Sequence, residues 1–497
     1  MKLRFAVLCA LALSLVAVAG LADDSSEFVT RSGTSLQLAG KPFRYSGPNI
    51  EWLGLEGYGP HDPLGPRYPT AFETDDALDT AKEMGARAVR SQTMGDSVGC
   101  PLCIEPKLGE FNAEAFGPID YAIQAAHQRG IRLIVTLIGD CAACSNGGIG
   151  QYLEWTHRTD PAAFFSDPAL IAAFEKHIAA VLNHKNPLTG VAYKDDPTIL
   201  AWENCNMCGL FALFGPVKNV PSYFAWTDTI GAFIKSIDHR HLYLDTTGLF
   251  PFNKAALDVT TPDMITFEYY PHWQVLMPGT QKITPETFSR DAAMVTGHGK
   301  AYIVNEFGWD VTNWPARDDL QAVLNALEKD PNISGDDYWA LQAHAPGFGW
   351  QPIPADVRDS AYARRGESGQ WWALYYGGLG TVVNTADDMR ARVEQLRKHA
   401  FAMAGTPAPP HIVPVPPAIT SVVFGSLIAW RGSAGAVNYS VQRKTGPAGE
   451  WATICDRCAT DADVPWPDPK PAMMGAAKYR VIAWNADGVA SAPSEAK

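Results

Sequence analysis

The sequence predicts an α/β fold, a (β/α)8 TIM barrel followed by a small all-β immunoglobulin-like sandwich, on three observations. Across residues 27–403, short β-branched runs alternate with segments whose apolar residues recur every three to four positions, the pattern of repeated βα units around a parallel sheet. Residues 404–417, within "AGTPAPPHIVPVPPA", are rich in proline, which stops helix continuation and stiffens an extended linker between two domains. Residues 418–497 alternate apolar and polar residues at period two between Gly, Asn and Asp clusters, as short antiparallel strands do.

Each barrel strand can be placed in order. "FRYSGPN" opens the set, and "ARAVRS", "IRLIVTLIG", "TILAWEN", "LYLDTT", "MITFEYY", "AYIVNEF" and "DDYWAL" bring the count to eight, the number that closes such a barrel. Amphipathic helices are expected between them, for example "DALDTAKEMG" before the second strand and "YFAWTDTIGAFIKSID" before the fifth. Ahead of the barrel, residues 1–22 carry Lys2 and Arg4, an apolar run too short to span a bilayer, and small residues suited to cleavage near Ala19 or Ala22. That is a secretory signal rather than an anchor, since no stop-transfer pattern follows; the mature chain is expected to be secreted, extracellular or periplasmic, without membrane insertion. A formal charge of -13 disfavours nucleic acid and anionic membranes as partners, because both would repel it.

Eight of the nine cysteines form four C-x-x-C pairs: Cys100/Cys103, Cys141/Cys144, Cys205/Cys208 and Cys455/Cys458. An oxidising compartment favours disulfides, and a four-cysteine zinc site is the rival. The first three pairs follow the second, third and fourth strands, so cross-links between consecutive loops would rigidify one wall of a pocket. Cys455 and Cys458 can close only a local clip.

In a barrel of this kind reacting groups project from the carboxyl ends of the strands, where the loops build the pocket. The residues at those ends are Glu51, Arg90, Asp140, Asn206, Glu268, Tyr270, Glu306 and Trp339. Taken singly, each acid there is an ordinary solvated carboxylate. Several acids converging with an arginine and aromatics point instead to a functional site, since like charges gathered without purpose destabilise a fold.

Five ordered stretches carry a resemblance across most of the barrel. "FVTRSGTSLQLAGKPFRYSGPNIEWLGL" resembles an entry hairpin and first strand. "IRLIVTLIGDCAACSNGGIGQYLEW" resembles a third strand and its loop, with Gln151, Tyr152 and Trp155. "ILAWENCNMCG" is similar to the pattern I-L-A-W-E-L-A-N-E, "DMITFEYYPHW" to a sixth strand with Tyr270 and Pro271, and "AYIVNEFGW" to an E-F-G motif. Together they resemble glycoside hydrolase family 5, in particular its endo-β-1,4-mannanase branch, and Trp430, Tyr439, Val441, Tyr479 and Val481 resemble the core of a fibronectin type III module, a spacer or adhesive appendage.

The resemblance implies a retaining β-glycoside hydrolase with Glu306 as the nucleophile. Arg90 would lower its pKa and Tyr270 would orient it. Asn206 would bind the sugar 2-hydroxyl, Trp339 would form the floor under the ring, and Asp140 and Glu51 would line the substrate site. No metal or organic cofactor is implied. The chain departs from the pattern twice: Met207 stands where the acid/base glutamate belongs, and Glu268 stands where the sixth strand carries a histidine. A loss and a gain of one functional group in one neighbourhood imply that Glu268 is the relocated acid/base, with Asp140 and Glu51 as competing donors. The expected substrate is a β-linked, mannan-like polysaccharide or oligosaccharide. The alternative is a catalytically inactive carbohydrate-binding barrel.

Overall fold

A computed structural model of the chain describes residues 27–57, 65–139, 147–208, 220–249, 254–270, 283–308, 317–347, 349–350, 373–379, 385–472 and 477–497. The expected signal sequence, Asp140, Cys141, Cys144 and Pro271 lie outside the described residues.

An antiparallel entry hairpin, Val29–Ser32 with Ser35–Leu38, precedes eight parallel strands. The strands are β1 (Tyr45–Pro48), β2 (Ala88–Ser91), β3 (Arg132–Thr136), β4 (Ile199–Glu203), β5 (Leu242–Leu249), β6 (Met264–Tyr269), β7 (Ala301–Phe307) and β8 (Ile333–Tyr338). They hydrogen-bond in the order β1-β8-β7-β6-β5-β4-β3-β2. The remaining seam is drawn together just past β1, where the Ile50 amide donates to the Arg90 carbonyl at 2.9 Å beside an Asn49–Arg90 bridge. The arrangement is consistent with the expected TIM barrel. Helices expected between strands are found as α1 (Ala71–Glu83), α2 (Phe116–Arg129), α3 (Pro168–Asn183), α4 (Val220–Ile237), α5 (Pro285–Gly297), α6 (Arg317–Lys329) and α7 (Ala386–Met403). Between β5 and β6 the described residues hold only a 3-10 turn, Lys254–Asp258, in a short segment that Pro262 closes.

The pleat sends alternate residues to opposite sides of each strand, and this sorts the barrel into layers. At the amino end Tyr45, Ala88, Ile134, Leu200, Leu244, Met264 and Ile303 fill an apolar cluster, which Val29, Leu36 and Phe43 of the entry segment plug from below. One step up, Arg90, Thr136, Glu203, Thr246, Glu268, Asn305 and Asp337 replace them with polar groups, all buried. Phe267 and Tyr269, flanking Glu268 in sequence, turn outward into the cluster packed with the helices, so Glu268 must face the barrel axis.

The C-terminal residues form two antiparallel three-stranded sheets around one core. β9 (Ala418–Val423), β10 (Leu427–Arg431) and β13 (Trp466–Pro467) make one; β12 (Ala452–Ala459), β11 (Asn438–Thr445) and β14 (Ala477–Trp484) make the other. Trp430, Tyr439, Val441, Tyr479 and Val481 are all in that core, as the period-two pattern implies.

This module is docked against the barrel, not held away from it as a spacer. In the linker, Pro409 accepts from the Arg397 guanidinium at 2.7 Å, and the Ile412 amide and His411 ring both bond the buried Glu83 carboxylate. The proline run stays extended, but its polar groups are bound to α1 and α7. Deeper in the interface, His344 sits between Asp76 of α1 and Asp461 of the module, at 2.9 Å and 3.1 Å from its two ring nitrogens. Burial alone would lower the imidazole pKa, but the two carboxylates raise it to about 10 from an ordinary 6.5. A proton held more tightly folded than unfolded stabilises fully below about pH 6.5, and that contribution fades as pH rises through 10. A His344→Gln variant, which strands two buried carboxylates, is expected to lose about 3 kcal/mol at pH 6. Denaturant titrations should show its gap from the parent narrowing at pH 10; a constant gap would show that His344 is not charged.

Candidate active site

At the polar end of the barrel everything converges on Arg90, whose side chain is fully buried. Its Nε and Nη2 donate to the two oxygens of Glu203 at 2.7 and 2.8 Å; Nη1 donates to Glu306 at 2.7 Å and to Asn49 Oδ1 at 3.0 Å; Nη2 also reaches Asn206 Oδ1 at 2.7 Å. Only a planar, multi-donor guanidinium can serve that many acceptors at once. Burial alone would lower its pKa, but Glu203 and Glu306 hold it charged above its ordinary value.

Glu203 is the carboxylate that Arg90 grips with two hydrogen bonds. It also accepts from Thr136 at 2.5 Å, from Asn305 at 2.9 Å and from Thr246. With every lone pair direction occupied it has nothing to offer a substrate, and its role is to fix Arg90.

Glu306 is the carboxylate that faces the mouth. Besides Arg90 it accepts from the Tyr270 hydroxyl at 2.5 Å. A regular strand cannot aim both Asn305 and Glu306 inward, yet Asn305 bonds Glu203 while Glu306 bonds Arg90. A register shift between Ile303 and Glu306 resolves the conflict and sets Glu306 opposite Glu268 of β6. Burial pushes the Glu306 carboxyl above its ordinary value, and Arg90 and Tyr270 pull it back without bringing it below. The Arg90 guanidinium acts in the lowering direction, but burial outweighs it, so the carboxyl ends above its ordinary value.

Glu268 is the counterpart without help. It is 1% exposed, and neither carboxyl oxygen has a hydrogen-bond partner among the described residues. Burial, then the negative Glu306, push its pKa well above the carboxylate range. Of two coupled acids on neighbouring strands, Glu306 has the cation and the hydroxyl donor, so it carries the charge while Glu268 keeps the proton. Glu51, beyond β1, is a third member; burial and then Glu306 raise it to about 7.

The expected ligand-binding residues fall into place unevenly. Asn206 is held by Arg90 and by its own amide on the Ile138 carbonyl at 2.7 Å. Tyr270 is buried against Glu306, whereas Trp339, one residue past β8, is half-buried, its amide on the Phe307 carbonyl at 2.9 Å. Met207 is buried and sits at φ 60°, a left-handed conformation that costs a non-glycine residue about 1 kcal/mol. Among the described residues the cysteines do not bridge loops: Cys100–Cys103, Cys205–Cys208 and Cys455–Cys458 each close within their own C-x-x-C. For Cys100/Cys103 and Cys205/Cys208 the loop-to-loop cross-links expected from the sequence are therefore corrected, because each partner three residues away is reached without moving a loop. Among the described residues no group of three His, Cys, Asp or Glu could hold a metal ion, and no helix is long and apolar enough to cross a membrane.

Sequence reasoning missed Asn49, Thr136, Thr246 and Asn305, the polar collar that holds Arg90 and Glu203. Their signal was present: each is a polar residue in the carboxyl-terminal half of a barrel strand or just past its end, inward in parity.

Residues 26–254 match a family model described as GH family 5 beta-mannosidase-like. The matched span takes in Arg90, Asn206 and Met207 and ends before β6. Among curated proteins, a putative mannan endo-1,4-beta-mannosidase 4 of Arabidopsis thaliana is 29% identical over 247 residues, 48% of this chain and 56% of that one. The mannan endo-1,4-beta-mannosidase 2 of Oryza sativa subsp. japonica is 33% identical over 228 residues, 44% of this chain and 47% of that one. The chain thus spans about half the length of the curated relatives it matches. Among solved structures, the endo-1,4-beta-mannanase of Rhizomucor miehei aligns with a TM-score of 0.59 at 23% identity, covering 76% of this chain and all of that one. An endo-beta-1,4-mannanase of Thermotoga petrophila aligns with a TM-score of 0.56 at 18% identity, covering 92% and 98%. At these identities the structural likeness speaks for the fold.

Proposed function

We propose that the chain is a retaining β-glycoside hydrolase of the family 5 type, acting on a β-linked mannan-like polysaccharide or oligosaccharide outside the cytoplasm, with Glu306 as nucleophile and Glu268 as acid/base. The carrying observation is the cross-strand pairing of Glu268 with Glu306, one acid buried without a hydrogen-bond partner among the described residues, the other held by Arg90 and Tyr270. Retention needs two carboxyls about 5–5.5 Å apart, a separation that residues paired across neighbouring strands can meet. Support for the chemistry also comes from the matched family model and from relatives named as mannan endo-1,4-beta-mannosidases. The fibronectin type III-like character of the C-terminal module and the signal-directed export belong to the same proposal.

In the first step the Glu306 carboxylate attacks the anomeric carbon while the Glu268 proton passes to the departing glycosidic oxygen. In the second, Glu268, now a carboxylate, takes a proton from water as the water displaces Glu306. Asn206, its carbonyl oxygen engaged by Arg90, turns its amide N–H pair toward a sugar hydroxyl, and Trp339 offers an apolar face to the ring.

The reading of a catalytically inactive sugar-binding barrel rests on Met207, a residue without a proton at the position where the family pattern has its acid. A 2-deoxy-2-fluoro mannoside with a good leaving group separates the two. The hydrolase is expected to gain one covalent label that peptide mass spectrometry maps to Glu306, and an unlabelled protein that still binds manno-oligosaccharides would favour the binder.

A further inference from the structure

We infer that the C-terminal module is a positioning element of the barrel site: through Asp461 it locks His344 and, with it, the segment that follows β8 and carries Trp339.

The contacts form a continuous path. Asp461 Oδ2 bonds His344 Nε2 at 3.1 Å, while the other face of the ring system is held by Asp76, which accepts from both the His344 backbone amide at 2.8 Å and Nδ1. The imidazole also stacks on Trp350, their centroids 4.1 Å apart, and the two residues form an antiparallel bridge that folds the segment back on itself. Module backbone closes the pocket: a Cβ on Gly432 would lie 2.3 Å from the His344 ring, so only glycine lets the module approach this far. From His344 the segment runs back to Leu341, whose amide donates to the Asn49 carbonyl at 2.8 Å; Asn49 Oδ1 in turn accepts from Arg90. Trp339 lies two residues before Leu341. A side chain of the module is thereby connected, through one imidazole and a short stretch of backbone, to the residues around Glu306.

A module acting only as a spacer needs none of this. Trp339, half-buried just past a strand end, is tied by its amide on the strand-side Phe307 carbonyl, and its position depends also on where the following residues are tied. Among the described residues those ties are the Leu374 amide on the Ala340 carbonyl at 2.7 Å, the Gln342 amide on the Leu374 carbonyl at 3.0 Å, Asn49, Asp76 and Asp461, and the last belongs to the module. The part of the inference that concerns substrate rests on the hydrolase reading above; the mechanical part does not.

The test compares Asp461→Ala, Asp461→Asn and Tyr439→Phe in the full chain. Tyr439 donates to the same carboxylate at 2.9 Å from within the module, so its loss perturbs the module and leaves His344 its partner. Amide hydrogen exchange of Leu341, Gln342 and Ala345 is expected to speed up about tenfold or more in Asp461→Ala, less in Asp461→Asn, and little in Tyr439→Phe. Unchanged exchange in Asp461→Ala, or equal acceleration in Tyr439→Phe, would overturn the lock. With a manno-oligosaccharide that the parent turns over, Asp461→Ala is expected to raise KM several-fold with kcat within about twofold, since a misplaced floor weakens ground-state and transition-state binding alike. An unchanged KM beside a loosened segment would overturn the link to Trp339. A parent that turns over no oligosaccharide would count against the hydrolase reading alone, because the exchange result stands without it.

Discussion

Glu268→Gln is expected to lose turnover of an unactivated β-mannoside by about a thousandfold, within the range that general acid catalysis contributes. Glutamine keeps the shape of the side chain, so binding should survive while the transferable proton is gone. A substrate whose leaving group departs without protonation should still glycosylate Glu306, after which hydrolysis stalls for want of a base. Added azide, which attacks without losing a proton, should restore release and yield a glycosyl azide of unchanged anomeric configuration. Glu306→Gln should silence both substrate classes. An unaltered rate for Glu268→Gln on the unactivated glycoside would move the acid elsewhere, with Glu51 next in line because its pKa of about 7 also keeps it partly protonated near neutrality. The parent's rate should fall on the alkaline side as Glu268 loses its proton and on the acid side as Glu306 gains one, giving a bell whose limbs belong to the pair.

Arg90→Met is expected to destabilise the chain by about 3–5 kcal/mol, the cost of leaving a buried carboxylate without its cation. Glu203 would keep its bonds from Thr136, Thr246 and Asn305 but lose both to the guanidinium, and Asn49, Asn206 and Glu306 would each lose a donor. Denaturant unfolding reads the stability, and fluoromannoside labelling of whatever remains folded reads the nucleophile, whose labelling rate should drop because Glu306 then binds its proton more tightly. Arg90→Lys should recover little of either, since one ammonium cannot bridge two carboxylates and two amides. A loss under 1 kcal/mol would mean that the buried cluster is not ionised as described.

The outline of this protein was legible in the sequence because its signals are local. A β-strand is announced by residues two apart and a helix by residues three or four apart, so eight strands, their helices and the antiparallel module could be placed before any coordinates. The two departures at Met207 and Glu268 could be seen for the same reason, as could the candidacy of Glu306 and Arg90. The tertiary structure alone decided what depends on residues a hundred or more positions apart. Arg90 is divided between Glu203 and Glu306, and burial of that cluster outweighs the guanidinium in setting the direction of the Glu306 pKa. A register shift in β7, silent in the alternation of "AYIVNEF", brings Glu306 opposite Glu268. The module that composition presents as an appendage is docked through His344, since its fit depends on one imidazole lying between carboxylates from two domains. Charge sharing, strand register and domain docking are set by the whole arrangement, and no window of neighbouring residues contains them.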